Sequence, residues 1–274
     1  MLTRVEVRTR QGTLLNLPLE DVTSGYILTE VEGLDPVKAT LVSSSFANQD
    51  GAQHQSSRRE SRNLKLKLEL EPDYINNTVE SLRLNLYDYL MPKSEVDLRL
   101  VRDDGLEVDI TGVVESHEAP VFVKEPAVDV SLMCFKPDFI DPIPVEFSGT
   151  STELALETDV VYAGNIETGF ILTLNLNRDE SAITVYLRAP NGSLSQLDFA
   201  APLLNGDKLV ISTVSGSKGA WLTRAGVESS ILYGIPPQSG WPYFVKGTNK
   251  LRIYATGSPA IPYTVEYMTR YGGL

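Results

Sequence analysis

The residue types that most often do chemistry are sparse in this chain and poorly arranged for it. His54 and His117 are its two histidines, and neither has a second His, a Cys or an ordered acidic cluster at metal-ligand spacing. A zinc or non-haem iron site is not expected. The single thiol, Cys134, lies in an apolar, strand-like run, has no identifiable base and has no partner for an internal disulfide. It reads as a buried structural cysteine. The serine-rich segments contain no Gly-x-Ser-x-Gly elbow, and no glycine-rich phosphate loop leads from a strand into a helix. The 36 Asp and Glu residues supply many carboxylate pairs, but no motif singles one out for hydrolysis. No enzyme, cofactor or metal is expected.

Two groups of residues carry recognition chemistry instead. Residues 43–62 have almost no apolar content; they contain Asn48-Gln49-Asp50-Gly51-Ala52, then Ser57-Arg58-Arg59-Glu60-Ser61-Arg62. Compact domains seldom keep so long a loop without a use. It is either a solvated loop or one ordered by a neighbouring subunit, with Arg58, Arg59 and Arg62 paired to carboxylates. The second group is aromatic: Trp221, Tyr233, Trp241, Tyr243 and Phe244 either offer ring faces to a sugar or fill a core and its rim. His54 and His117 read as surface or turn residues. The sequons at Asn76 and Asn191 read as a helix cap and a hairpin turn.

The elements that position these residues are mostly strands. Residues 2–8 alternate apolar and polar side chains, and Leu64-Lys65-Leu66-Lys67-Leu68-Glu69-Leu70 alternates almost perfectly, as a half-buried antiparallel strand does. Between Asn77 and Met91 the period changes: Val79, Leu82, Leu86 and Leu90 fall on one helical face, with Asn77 and Glu80 as the expected capping box and Pro92 as the stop. Strands resume at 96–101, turn at Asp103-Asp104-Gly105, and continue through 106–114 and 127–135. The prolines of residues 136–144 mark a domain boundary. Beyond it short strand-like runs recur at 169–176, 182–187, 195–199, 208–212, 230–233, 249–254 and 263–267, without a helical period. The expected fold is mainly β. An α+β domain, residues 1–140, precedes a jelly-roll β-sandwich, residues 141–274.

Bulk properties narrow the class. The chain carries a formal charge of −12, and residues 1–140 hold 15 Lys and Arg against 24 Asp and Glu. A surface this acidic disfavours static nucleic-acid binding but suits a conduit through which DNA slides. No apolar run approaches the ~20 residues of a membrane helix. The first residues alternate as a strand rather than forming a signal peptide's apolar core, so synthesis in a cytoplasm without Sec export is expected.

Several short motifs, taken in order, resemble one family. Met133-Cys134-Phe135-Lys136-Pro137-Asp138-Phe139 is followed by Gly149-Thr150-Ser151 and by Tyr162-Ala163-Gly164-Asn165-Ile166-Glu167-Thr168-Gly169-Phe170. Further on come Ser230-Ile231-Leu232-Tyr233-Gly234, Ser239-Gly240-Trp241-Pro242, Gly247-Thr248-Asn249 and the end Arg270-Tyr271-Gly272-Gly273-Leu274. The series resembles the distal tail (Dit) proteins of long-tailed, siphovirus-type bacteriophages. In that family an Asp-Gly before an arginine-bearing run leads into the same strand, which here touches Asp50, Gly51 and Arg62. The resemblance implies a structural virion protein of the tail tip, made in the host cytoplasm. Copies, six in the family, form a ring through their first domains, and second domains of galectin-like or carbohydrate-binding-module-like sandwich fold project outward. The ring would join the tail tube protein to the tip, baseplate or receptor-binding proteins and leave a channel for transient DNA passage. A carbohydrate-binding or adhesin module contacting the host surface is the alternative, with Trp221, Tyr233, Trp241 and Tyr243 as its sugar-facing residues.

Overall fold

A computed structural model describes residues 1–19, 23–47, 50–120 and 126–274. It divides into two compact units, Met1–Pro142 together with Gly272–Leu274, and Ile143–Tyr271. The last three residues, expected in the second domain, thus belong to the first unit.

In the first unit the strands are β1 (Leu2–Thr9), β2 (Leu14–Pro18), β3 (Tyr26–Glu32), β4 (Ala39–Ser44), β5 (Gln53–Arg59), β6 (Arg62–Leu70), β7 (Glu95–Arg102), β8 (Glu107–Glu118), β9 (Ala127–Cys134) and β10 (Phe139–Ile140), with helix α1 (Val79–Leu90) between β6 and β7. The main sheet runs β2-β1-β7-β8-β9-β6-β3, and β10 pairs β8. An isolated parallel bridge between Leu19 and Leu28 brings the β3 edge back beside β2, so the sheet curls towards closure. Alternation decides which side chains face inward. Leu64, Leu66, Leu68 and Leu70 of β6 are all buried, and across the β9 register Leu66 meets Val130 and Leu64 meets Leu132. Burying each such side chain is worth about 1.5–3 kcal/mol.

Helix α1 lays Leu82, Leu86 and Leu90 on this core. Its cap differs from the expected Asn77 and Glu80. Thr78 is the N-cap: Thr78 Oγ1 accepts from Ser81 N–H, and Ser81 Oγ accepts from Thr78 N–H at 2.8 Å. Asn77 instead accepts the N–H of Asp73 at 2.9 Å. The Asp73 carboxylate in turn accepts from the N–H groups of Ile75, Asn76 and Asn77 and from the Asn76 amide. Those donors hold its pKa down at about 2. His117 also departs from expectation. It lies on β8, half-buried, with Nδ1 3.0 Å from the Leu90 carbonyl and its ring against Tyr87, and burial lowers its pKa.

The second unit is a two-layer sandwich. Its strands are β11 (Val145–Thr150), β12 (Thr158–Tyr162), β13 (Ile171–Asn175), β14 (Glu180–Arg188), β15 (Leu194–Leu203), β16 (Lys208–Ser212), β17 (Gly219–Arg224), β18 (Val227–Ser230), β19 (Gly247–Tyr254) and β20 (Pro262–Tyr267). One sheet runs β11-β20-β13-β16-β17-β18 and the other β12-β19-β14-β15, all antiparallel. Leu172, Leu209 and Val265 from the first meet Val185, Phe199 and Leu251 from the second in one core. The expected strand at 230–233 is instead the end of β18 followed by a 3-10 turn, Leu232–Gly234. Among the described residues no helix is long and apolar enough to cross a membrane.

Candidate assembly surface

The polar segment expected as a loop is a β-hairpin for most of its length. β4 pairs β5 from Ala39↔Arg59 to Ser44↔Gln53, with a bulge between Val42 and Ser43, and the two strands form a sheet of their own. Every residue of β5 is exposed and every residue of β4 but Ser44 is too. Neither face is buried, so the hydrophobic alternation that reveals other strands is missing from Gln53–Arg59. Backbone pairing and a few polar side-chain contacts hold it, with no apolar core, and an isolated two-stranded hairpin is marginal in water. Three large apolar side chains, Leu41, Val42 and Phe46, stand 67%, 51% and 59% exposed on the hairpin and its connection. Asp50 and Gly51 lie in that connection, both exposed; Asn48 and Gln49 fall outside the described residues.

The three arginines part company. Arg58 is exposed and makes no ion pair among the described residues. Arg59 holds both carboxylate oxygens of the largely buried Asp138, Nη2 to Oδ2 at 3.0 Å, and fastens the hairpin's base within its own chain. Glu60 N–H donates to the Lys38 carbonyl at 3.0 Å, and Thr40 Oγ1 donates to Glu60 at 2.6 Å.

Arg62, expected at a subunit interface, is buried within its own chain, 1% exposed. Two positions before Leu64, it occupies an inward slot of β6. Its guanidinium donates to four backbone carbonyls: Pro137 at 2.8 Å, Asp35 at 2.7 Å, Gly272 at 2.6 Å and Gly33. It also lies 4.3 Å above the Phe139 ring. These carbonyls come from irregular segments, where no ladder would satisfy them. Burial lowers the Arg62 pKa. Beside it, Cys134 is fully buried, and desolvation pushes its thiol up to about 11.

The aromatics do not gather. Phe244 is fully buried, its ring 4.9 Å from Phe170 and 5.0 Å from Tyr267. Trp221 covers Gly219 on β17, whereas Trp241 packs on the sandwich core with Lys218 Nζ 5.6 Å from its ring. Tyr233 and Tyr243 are exposed, and none of the four candidate rings stacks on another among the described residues. Nor does any group of three or more His, Cys, Asp or Glu among those residues form a metal-binding cluster.

The motif residues hold loops in place. Asn249 is fully buried and clamps the turn before β19, donating to the carbonyls of Val245 at 2.7 Å and Gly247 at 3.1 Å. Gly247 sits at φ +108°, which a side chain rarely adopts. Tyr162 donates to the Ile166 carbonyl at 2.6 Å and accepts from Arg270 N–H; a Cβ on Gly164 would meet its hydroxyl at 2.3 Å. Gly272 supplies one of Arg62's acceptors.

The described residues, mainly β with one α-helix and built as a curled sheet followed by a sandwich, have the fold of a phage distal tail protein. Among solved structures it is similar to the Dit protein (gp 19.1) of phage SPP1, described as a paradigm of the hub adsorption apparatus in phages infecting Gram-positive bacteria. The TM-score is 0.66 at 14% identity, over 97% of this chain and 98% of that one. Chains of the phage P2 baseplate in its activated conformation, with Ca and with Sr, are found at TM-scores of 0.48 and 0.46 and 10% identity, covering 97% or more of both chains. No family model matches the chain, and no curated protein matches its sequence.

Proposed function

We propose that this chain is a structural subunit of a phage tail tip. Copies associate through their first units into a closed, sixfold ring that joins the tail tube protein to the tip or receptor-binding proteins, with the second units outward. The observation that carries the reading is the β4–β5 hairpin: it exposes Leu41, Val42, Phe46 and Arg58 and has no core of its own. A neighbouring copy that covers it supplies the burial the lone chain lacks. The likeness in fold to SPP1 Dit supports the same reading. The role is structural, without catalysis. The acidic first unit suits a channel wall that repels phosphate and lets DNA pass without sticking.

The deciding measurement is the mass and symmetry of the purified full chain, by native mass spectrometry and electron microscopy. A closed ring is expected. A folded chain that stays monomeric at high concentration and moderate salt refutes the proposal.

A further inference from the structure

The outer face of the four-stranded sheet carries an arginine unlike its neighbours. Arg178, Arg188 and Arg224 of the second unit each hold a carboxylate: Glu180 at 2.8 Å, Glu157 at 3.2 Å and Asp207 at 2.6 Å. The Arg252 side chain makes no hydrogen bond and no ion pair among the described residues, and its Nε is buried without an acceptor. Aromatic rings hold it instead. It stands opposite Tyr186 in the β14–β19 register, with its guanidinium carbon 4.2 Å from the Tyr186 ring centre and 6.0 Å from that of Tyr254. Stacking on Tyr186 orients the guanidinium plane without consuming its N–H groups. The terminal Nη groups are left as a fork with no partner among the described residues.

A fixed, unpaired guanidinium fork is complementary to a carboxylate or phosphate, which it binds bidentately. The other cations on this face are already engaged: Arg188, opposite Lys250, holds Glu157, and Lys250 lies 3.5 Å from Asp159. Among the described residues Arg252 is thus the cation on this face left for an anion. Tyr254, half-buried and farther from the guanidinium, adds a ring on which a flat C–H surface packs. Around them Thr184, opposite Tyr254, and Gln196, opposite Tyr186, both donate to the Asp198 carboxylate on the same face, at 3.0 Å and 2.8 Å, and that carboxylate is an acceptor suited to a sugar hydroxyl.

We propose that this face binds an acidic sugar, a pyranose bearing a carboxylate or a phosphate. Arg252 takes the anionic group, Tyr254 takes the ring face, and Tyr186 positions Arg252. The site is separate from Trp221, Tyr233, Trp241 and Tyr243, and independent of ring assembly.

The test is titration of the full chain with glucuronate and with glucose 6-phosphate, by calorimetry and by NMR of the tyrosine ring protons, with glucose and inorganic phosphate as references. For ligands of this size a dissociation constant on the order of 1 mM is expected for at least one acidic sugar. Glucose and inorganic phosphate should each bind about tenfold more weakly or worse. Arg252→Ala should abolish binding, Tyr254→Ala should weaken it about tenfold, and Arg252→Lys, which keeps the charge but loses the fork, should weaken it about fivefold. Tyr243→Ala should leave it unchanged. Thermal unfolding of each variant checks that it is folded, and the ring-proton shifts test the wild type without any variant. Inorganic phosphate binding as tightly as the sugar phosphate would mark an adventitious ion only. That result, no saturable binding of either acidic sugar, or wild-type affinity in a folded Arg252→Ala chain each overturns the proposal.

Discussion

Replacing Arg62 by methionine keeps most of the side-chain volume and removes every donor. Four carbonyls, those of Gly33, Asp35, Pro137 and Gly272, then lose the guanidinium that satisfies them. A buried acceptor left unpaired costs about 1–3 kcal/mol. Two effects temper the sum: water can reach some of the orphaned groups, and the neutral side chain no longer pays for burying a charge. A net loss of about 4 kcal/mol is expected, a large share of a stability that is ordinarily ~5–15 kcal/mol. With a urea dependence of ~2 kcal/mol per molar, the midpoint of the first unit should fall by about 2 M. The chain provides a probe for each unit. Both tryptophans, Trp221 and Trp241, lie in the second unit, and the lone thiol, Cys134, is buried in the first, opposite Arg62 in the β6–β9 register. Thiol labelling as a function of urea should shift strongly in Arg62→Met, while tryptophan fluorescence should unfold at the wild-type midpoint. A thiol midpoint within ~0.5 M of wild type would refute the reasoning, since at ~2 kcal/mol per molar it leaves less than the cost of a single unsatisfied carbonyl.

Arg58→Glu should behave in the opposite way: with no ion pair to lose among the described residues, it should leave the stability of both units within about 0.5 kcal/mol of wild type while lowering the ring fraction seen by native mass spectrometry. His117 should make the first unit acid-sensitive. Its folded pKa is lowered from 6.5 by burial, so its contribution is intact above 6.5 and is lost as pH falls through that lower value, because the unfolded chain binds the proton more readily. His117→Gln should show a shallower loss of stability than wild type across this window in urea titrations. Asp73, held at about 2 against an ordinary 3.8, should remain ionised at pH 3 in the folded chain by carboxyl NMR; the stability it contributes is present above 3.8 and lost as pH falls through about 2. An Asp73 resonance titrating near 3.8 would show that the loop does not hold its carboxylate.

Local pattern made much of the fold legible. Strands β1, β6, β7, β8 and β9 announce themselves because one face of each is buried and the other wet, so a period of two is written into the residues. Helix α1 shows a 3.6-residue period for the same reason. Its cap was displaced by one residue because Asn77, a good capping residue by type, is drawn into the Asp73 loop. The hairpin strand β5 has the sequence of a loop because it buries nothing, and β18, four exposed residues, leaves no alternation for the same reason.

At the candidate surface the sequence showed an arginine-rich polar run and a family-like order of motifs. Chemical type alone gave Arg58, Arg59 and Arg62 one common role; their positions gave them three. The alternation of β6 already set Arg62 on the leucine face, and that signal was there to be read. Its acceptors were not: Gly33, Asp35, Pro137 and Gly272 lie between 27 and 210 residues away in the chain. The same holds for Arg252, which has no carboxylate close to it in sequence and which the β14–β19 register sets opposite Tyr186. Periodicity, turn residues and composition determine which segments form strands and which face of each is buried, because those are local balances between backbone geometry and solvent. Which polar group meets which partner is decided by chain segments distant in sequence that only folding brings within about 3 Å of one another.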